Sequence, residues 1–302
     1  MSQTPSMLAG LQSPILLAGD DRTAYRDPAV VVAGGVFHLL YTLVETEQPG
    51  DWPYLYTAVS TSRDLRHWTP PRKLTVRDRS LNFSSPGNVV RFGDEWVMCL
   101  QTYPRRQGQK YGSPESRVWT MRSRDLINWD PPALLRVHGP EVSQENMGRM
   151  IDPYLVEDAS QAGRWWCFFK QNGISRSYST DLTHWTFDGA ADGGENVCIV
   201  RDGDEYVLLH SPENGIGVRR SRDLRHWHDT DLLHLGQAEW PWARGRITAG
   251  FVLDARGIAG VERFLLFFHG SGPEDEQVIF DTHACIGLAW SRNLKQWDWP
   301  GK

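Results

Sequence analysis

A seven-residue phrase returns five times along this 302-residue chain: SRDLRHW at 62–68, SRDLINW at 123–129, STDLTHW at 179–185, SRDLRHW at 221–227 and SRNLKQW at 291–297. Successive copies begin 61, 56, 42 and 70 residues apart. Recurrence on this scale means one supersecondary unit used repeatedly, each unit burying its apolar faces against its neighbours. The expectation is one domain spanning residues 1–302. Within the phrase, Ser and the Asp two positions later are turn formers whose side chains bond nearby backbone N–H groups. Leu pins the turn, and Trp68, Trp129, Trp185, Trp227 and Trp297 are expected to fill the wedges between units. The phrase reads as architecture, so the chemistry is sought elsewhere.

Ahead of each copy lie three apolar, β-rich runs parted by Gly, Asp and Asn turns, as in YRDPAVVVAG (25–34), VFHLLYTLVE (36–45) and YLYTAVSTS (54–62). A short run follows each copy, and no helical periodicity interrupts them. The fold class expected is all-β: a five-bladed β-propeller of four-stranded antiparallel blades around a central channel. The run SPILLAG (13–19) resembles an outer strand and is expected to join the last blade, closing the ring and leaving no sheet edge open.

The net charge of −5 offers no basic footprint for nucleic acid. No run reaches the ~18 apolar residues of a membrane span, and the first residues, MSQTPSMLAG, lack a secretory pattern, which points to the cytoplasm. Cys99, Cys167, Cys198 and Cys285 sit singly in strand-like runs and read as reduced core residues, without metal spacing. Fourteen Trp is a high count; some must fill the core, and exposed Trp also suits stacking on sugar rings. Nothing in the sequence signals an oligomeric state.

In a propeller the first strands of the blades open at one mouth. Here those openings read Arg26-Asp27-Pro28, Ser85-Pro86, Ile151-Asp152-Pro153, Gly194-Glu195-Asn196 and Thr248-Ala249. Three carry an acid at what reads as a matching position: Asp27, Asp152 and Glu195. Acids are depleted in strands and costly to bury alone. Three in one pocket repel each other and raise the pKa of at least one, the condition an acid needs to donate a proton near neutral pH. Arg26 and Arg246 lie beside the mouth, where forked guanidinium groups suit carboxylates or sugar hydroxyls. Tyr25, Phe83 and Trp240 are candidate sugar platforms, Ser85 a further substrate contact, and QAEWPWARGR (237–246) a rim loop whose Glu239 is the rival acid. Arg105, Arg106 and Lys110 suggest an alternative phosphate site.

The RDP of blade one, the IDP of blade three and the Glu opening blade four resemble the glycoside hydrolase clan of families 43, 32, 68, 117 and 130, as do the repeated blade ends. The order Asp, Asp, Glu most resembles family 43, over essentially the whole chain. That resemblance implies exo-acting, inverting hydrolysis of α-L-arabinofuranosides, β-xylosides or related galactosides. Asp27 would be the base, Glu195 the acid and Asp152 the group tuning its pKa. Inversion needs carboxyl groups ~6.5–9.5 Å apart; ~5 Å would instead make Asp27 a nucleophile with retention, as in families 32 and 68. Two features depart from the family. Phe83-Ser84-Ser85-Pro86 stands where Trp-Ala-Pro is common, and Arg246-Ile247-Thr248-Ala249-Gly250 replaces a Gly-His that holds a calcium through water. No cofactor or metal is therefore expected, and His269 and His283 are kept as pocket-lining candidates. The partner expected is an oligosaccharide or glycoside, with neither nucleic acid nor membrane. A non-catalytic sugar-binding propeller and a glycoside phosphorylase are the alternatives.

Overall fold

In the computed structural model, which describes residues 5–48, 51–105, 109–230, 232–275 and 279–302, five antiparallel sheets stand around a common axis. A one-turn helix, Ser6–Ala9, precedes β1 (Ile15–Leu17). Blade one is β2 (Thr23–Ala33), β3 (Val36–Glu45), β4 (Tyr54–Ser62) and β5 (Arg72–Lys73). Blade two is β6 (Phe83–Phe92), β7 (Glu95–Thr102), β8 (Val118–Ser123) and β9 (Ala133–Leu134). Blade three is β10 (Ile151–Glu157), β11 (Trp165–Lys170), β12 (Ile174–Ser179) and β13 (Thr186–Ala191). Blade four is β14 (Glu195–Asp202), β15 (Glu205–Ser211), β16 (Gly217–Ser221) and β17 (His228–Asp229).

Blade five closes the ring. Its β18 (Arg246–Asp254), β19 (Phe264–Ser271) and β20 (Cys285–Ser291) are joined on the outer edge by two strands from opposite chain ends. β1 pairs Ile15 with Gly287, and β21 (Trp297–Asp298) pairs Trp297 with Ser291. The leading strand thus sits where the sequence places it, and it covers an edge that would otherwise invite pairing with another chain.

Second strands are sandwiched between neighbouring blades, and their sequences show it. Phe264 through Phe268 are all essentially buried, as are Trp166 through Phe169 in β11. Burial on both faces removes the period-two alternation of a half-exposed strand. Each such side chain contributes about 1.5–3 kcal/mol of apolar burial.

The repeated phrase forms one turn five times. Ser62 Oγ accepts the N–H groups of Asp64 and Leu65, and Asp64 Oδ1 accepts those of Arg66 and His67, at 2.9–3.2 Å. The copies starting at Ser123, Ser221 and Ser291 repeat all four bonds, with Asn293 standing in for Asp in the last. Every copy places its Leu in the left-handed region, φ 55–63°. That conformation costs a non-glycine residue about 1–2 kcal/mol. Burial of the five Leu side chains and the satisfied N–H groups offset it. Trp227 packs edge-on against Phe168 of the preceding blade, ring centres 6.2 Å apart, as the wedge reading expects.

Candidate active site

Each inner strand breaks register close to its start: β2 between Arg26 and Ala29, β6 between Ser84 and Asn88, β10 between Ile151 and Tyr154, β14 between Glu195 and Cys198, and β18 between Thr248 and Phe251. A bulge of this kind re-aims a side chain out of the ladder. At each break one residue turns left-handed: Asp27 (φ 48°), Ser85 (46°), Asp152 (52°), Asn196 (55°) and Ala249 (50°). Asp and Asn take this conformation most readily after Gly. Glu195 is therefore one residue ahead of the position that Asp27 and Asp152 share; Asn196 holds that position in blade four. The sequence alignment of the three acids was off by one, because a bulge leaves no mark in an alternation pattern.

The bulges are wired to one another around the ring. Each bulge N–H is taken by a side chain, in four cases one from the second strand of the preceding blade. His269 Nδ1 accepts from Asp27 (3.1 Å), Thr42 Oγ1 from Ser85 (2.7 Å), Gln101 Oε1 from Asp152 (2.6 Å) and Ser211 Oγ from Ala249 (2.9 Å). The matching residue in blade three is Lys170, opposite Ile151, and an ammonium accepts nothing. There Asp152 itself takes over, its Oδ2 accepting the Asn196 N–H at 3.3 Å. Its Oδ1 accepts the Ser85 hydroxyl at 2.8 Å, and Thr42 donates to Asp27 Oδ2 at 2.7 Å.

All three acids line one axial cavity of about 780 Å³, its open mouth included, together with Arg26, Asn196 and Arg246. They lie at graded depth. Asp152 is 6 % exposed, the Asp27 side chain 17 % and the Glu195 side chain 36 %. Burial, then the negative charges of Glu195 and Asp27, push the Asp152 carboxyl up to about 7, against the hydrogen bonds from Ser85 and Asn196. The raised group is thus Asp152, the deepest of the three. At the mouth, Glu195 Oε1 faces Arg246 Nη2 at 3.3 Å, and Arg246 Nε is anchored on the Glu213 carbonyl at 3.0 Å.

Of the other residues singled out in the sequence, Arg26 and Arg246 line the cavity, and Ser85 lines a narrower hollow of about 290 Å³ beneath it. His269 is buried behind Asp27, its ring nitrogen 3.6 Å from Asp27 Oδ1. Tyr25, Phe83, Trp240 and His283 lie away from the cavity lining. Strand alternation sends Tyr25 to the face opposite Arg26, edge-on to Tyr41. Phe83 is buried edge-on to Trp119. Trp240 stacks with Trp242 and Phe268 in the core of blade five, within two short 3₁₀ turns that make up the expected rim loop, and Glu239 there is exposed and outside the cavity. His283 binds Asp21 at 2.9 Å on the outer seam where the chain's first strands join blade five.

Sequence reasoning missed one wall of the cavity altogether. The β7–β8 loop of blade two and the β19–β20 loop of blade five meet over blade one through a buried ion pair. Arg105 Nη1 and Nη2 each lie 3.0 Å from an oxygen of Asp281, and the Arg105 side chain is 2 % exposed. Beside the pair, Phe280 is covered by the Arg26 guanidinium at 4.1 Å and met edge-on by Tyr111. Tyr103, Arg149 and Gln101 also line the cavity. Of the Arg105, Arg106 and Lys110 cluster, the alternative phosphate site that the sequence suggests, Arg105 is committed to Asp281 and Arg106 lies outside the described residues.

The hollow beneath the acids is lined by Asp27, Ser85, Asp152 and Asn196 together with apolar groups such as Pro28, Pro86, Pro153 and Phe251. His269 Nδ1 is spent on the Asp27 N–H. Among the described residues no group of three or more His, Cys, Asp and Glu side chains is arranged to hold a metal.

No known protein-family profile matches the chain, and no curated protein matches it in sequence. Its fold is that of the five-bladed glycoside hydrolases. The catalytic domain of a Coprinopsis cinerea family 62 α-L-arabinofuranosidase superposes with a TM-score of 0.66 at 15% identity, covering 91% of this chain and 94% of that one. A family 43 β-xylosidase/α-arabinofuranosidase from a compost microbial metagenome gives 0.65 at 10% identity, covering 97% and 99%. An exo-1,5-α-L-arabinanase from a bovine ruminal metagenomic library gives 0.59 at 15%, covering 88% and 93%.

Proposed function

We propose that the chain is a glycoside hydrolase that removes a terminal sugar, of the arabinofuranoside, xyloside or galactoside type, with inversion. The observation that carries this is the meeting of Asp27, Asp152 and Glu195 in one cavity, with the Asp152 carboxyl pushed up to about 7. Asp27, held by the Thr42 hydroxyl and pinned at its N–H by His269, takes a proton from water as the water oxygen bonds the anomeric carbon. The bond from that carbon to the leaving oxygen breaks, and Glu195 supplies the proton which that oxygen needs. Asp152, whose carboxyl is raised by burial and by the charges of Glu195 and Asp27, is the group that tunes the acid. The Arg105–Asp281 pair, whose Asp281 lines the cavity on the blade-one side, supports reading the site as exo-acting.

A panel of nitrophenyl arabinofuranosides, xylosides and galactosides tests the reading, with and without added phosphate. Turnover that needs no phosphate and is lost in Asp27→Asn is expected. Sugar binding without turnover would establish the lectin-like alternative, and phosphate dependence the phosphorylase.

A further inference from the structure

Glu195 and Arg246 line the axial cavity and also a second hollow, about 910 Å³ and open to solvent, on the blade four and five side. They are the residues the two hollows have in common. The second hollow is a groove formed by Lys170 of β11, the end of β15 and the loop after it, and Asp275. On the far side, Phe280 and Asp281 line the axial cavity, and Arg105 is paired with Asp281 behind them.

We propose that this groove is the leaving-group site and that it takes a second sugar rather than an aryl or alkyl aglycone. The inference rests on Glu195 being the acid. A proton donor must lie within hydrogen-bond reach of the glycosidic oxygen, and that oxygen joins the two halves of the substrate. With the terminal sugar in the axial cavity, the leaving group lies across Glu195, in the groove. Among the described residues the lining there is polar, with Lys170, Ser211, Glu213, Asn214 and Asp275, and Pro212 is its one apolar side chain. None of these offers an aryl group a ring to stack on, whereas sugar hydroxyls find donors and acceptors.

Most of those polar groups are already engaged. Lys170 Nζ donates to the Gly193 carbonyl, Ser211 Oγ accepts the Ala249 N–H, and Asn214 Oδ1 accepts from Gln237 and Ile247. Glu213 differs: its carbonyl anchors Arg246, while its exposed carboxylate makes no hydrogen bond or ion pair among the described residues. A carboxylate accepts from two vicinal hydroxyls at once, a pattern that a sugar offers and an aryl group does not. Glu213 is therefore the specificity-determining residue of the groove.

The test compares pairs of substrates sharing a terminal sugar: nitrophenyl β-xyloside with xylobiose, and nitrophenyl α-L-arabinofuranoside with arabinobiose. The readout is the ratio of kcat/KM for the disaccharide to that for the aryl glycoside. Glu213→Ala is expected to lower this ratio about tenfold, mainly through KM, the loss of a charge-assisted bond made in the ground state. Glu213→Gln, which keeps the size of the side chain and loses its charge, is expected to lower the ratio by a smaller factor. A ratio unmoved in both variants, or a wild-type protein that cleaves only aryl glycosides, overturns the groove assignment and leaves the hydrolase reading standing. Failure to cleave any glycoside overturns both.

Discussion

The outer turns and the inner bulges are both fivefold, both are left-handed at one residue per blade, and they differ in what varies. At the outer turns the sequence repeats with the backbone: Ser, Asp or Asn, Leu and Trp recur because each turn makes the same bonds to itself. At the bulges the backbone repeats while the residue changes, Asp27, Ser85, Asp152, Asn196 and Ala249 in turn. The same residue type responds in opposite ways. Backbone N–H groups, His67 foremost for Asp64 and Asn128 for Asp125, hold those carboxyls well below the usual range. Burial and two neighbouring acids push Asp152 above it. In a repeat protein, a residue that recurs marks scaffold, and a geometry that recurs with unlike residues marks the place where chemistry has been installed.

The contrast is broken most directly at the acids. Asp27→Asn is expected to lower kcat about 10³-fold, roughly 4 kcal/mol of transition-state stabilisation, with the far-UV spectrum unchanged. Glu195→Gln is expected to do the same for a substrate with a sugar leaving group. Asp152→Asn sharpens the contrast through pH. Burial and the two neighbouring acids push the native carboxyl up to about 7, against ~3.9 in the unfolded chain. Its contribution to stability is therefore complete below about pH 4 and lost as pH rises through about 7. An Asn has no such slope, so the stability advantage of Asp152→Asn over wild type should grow between pH 5 and pH 8, by on the order of a few kcal/mol. Urea midpoints at the two pH values measure this, and a difference flat with pH would refute the shift. The outer carboxyls carry the opposite sign, so their contribution is present above about pH 4 and is lost as pH falls below it and Asp64 and its counterparts take up protons.

Smaller effects follow outside the acids. Arg105→Ala removes one partner of a buried pair and is expected to cost about 3 kcal/mol, the low end of such losses because Asp281 is partly exposed. It should also open that side of the cavity, which product analysis on a xylo-oligosaccharide would reveal as cleavage away from the chain end. Ser62→Ala deletes the acceptor of two N–H groups in a single outer turn. About 1 kcal/mol of stability and no change in kcat are expected, since the other four turns are independent of it.

Fold and site were unequally legible in the sequence. The phrase ending in Trp68 and its four counterparts gave the number of blades, and SPILLAG gave the ring closure, because both depend on local turn chemistry and apolar runs. Asp27 and Asp152 were visible as acids before proline at strand openings. The offset of Glu195 was not, since a bulge shifts register without changing composition. Phe280, Asp281 and Arg105 were hidden for a different reason: their contacts join loops 176 residues apart, which no local pattern encodes. Tyr25 and Trp240 were aromatic and near the mouth in sequence, yet packing against Tyr41 and Trp242 claimed them.

The most direct measurement is a crystal structure of Glu195→Gln with an uncleaved disaccharide bound. The terminal ring should lie in the axial cavity, with its anomeric carbon between the side chains at positions 27 and 195 and the two carboxyl positions ~6.5–9.5 Å apart. A sugar seated away from the bulges of blades one, three and four would contradict the assignment of the site, and a separation of ~5 Å would contradict inversion.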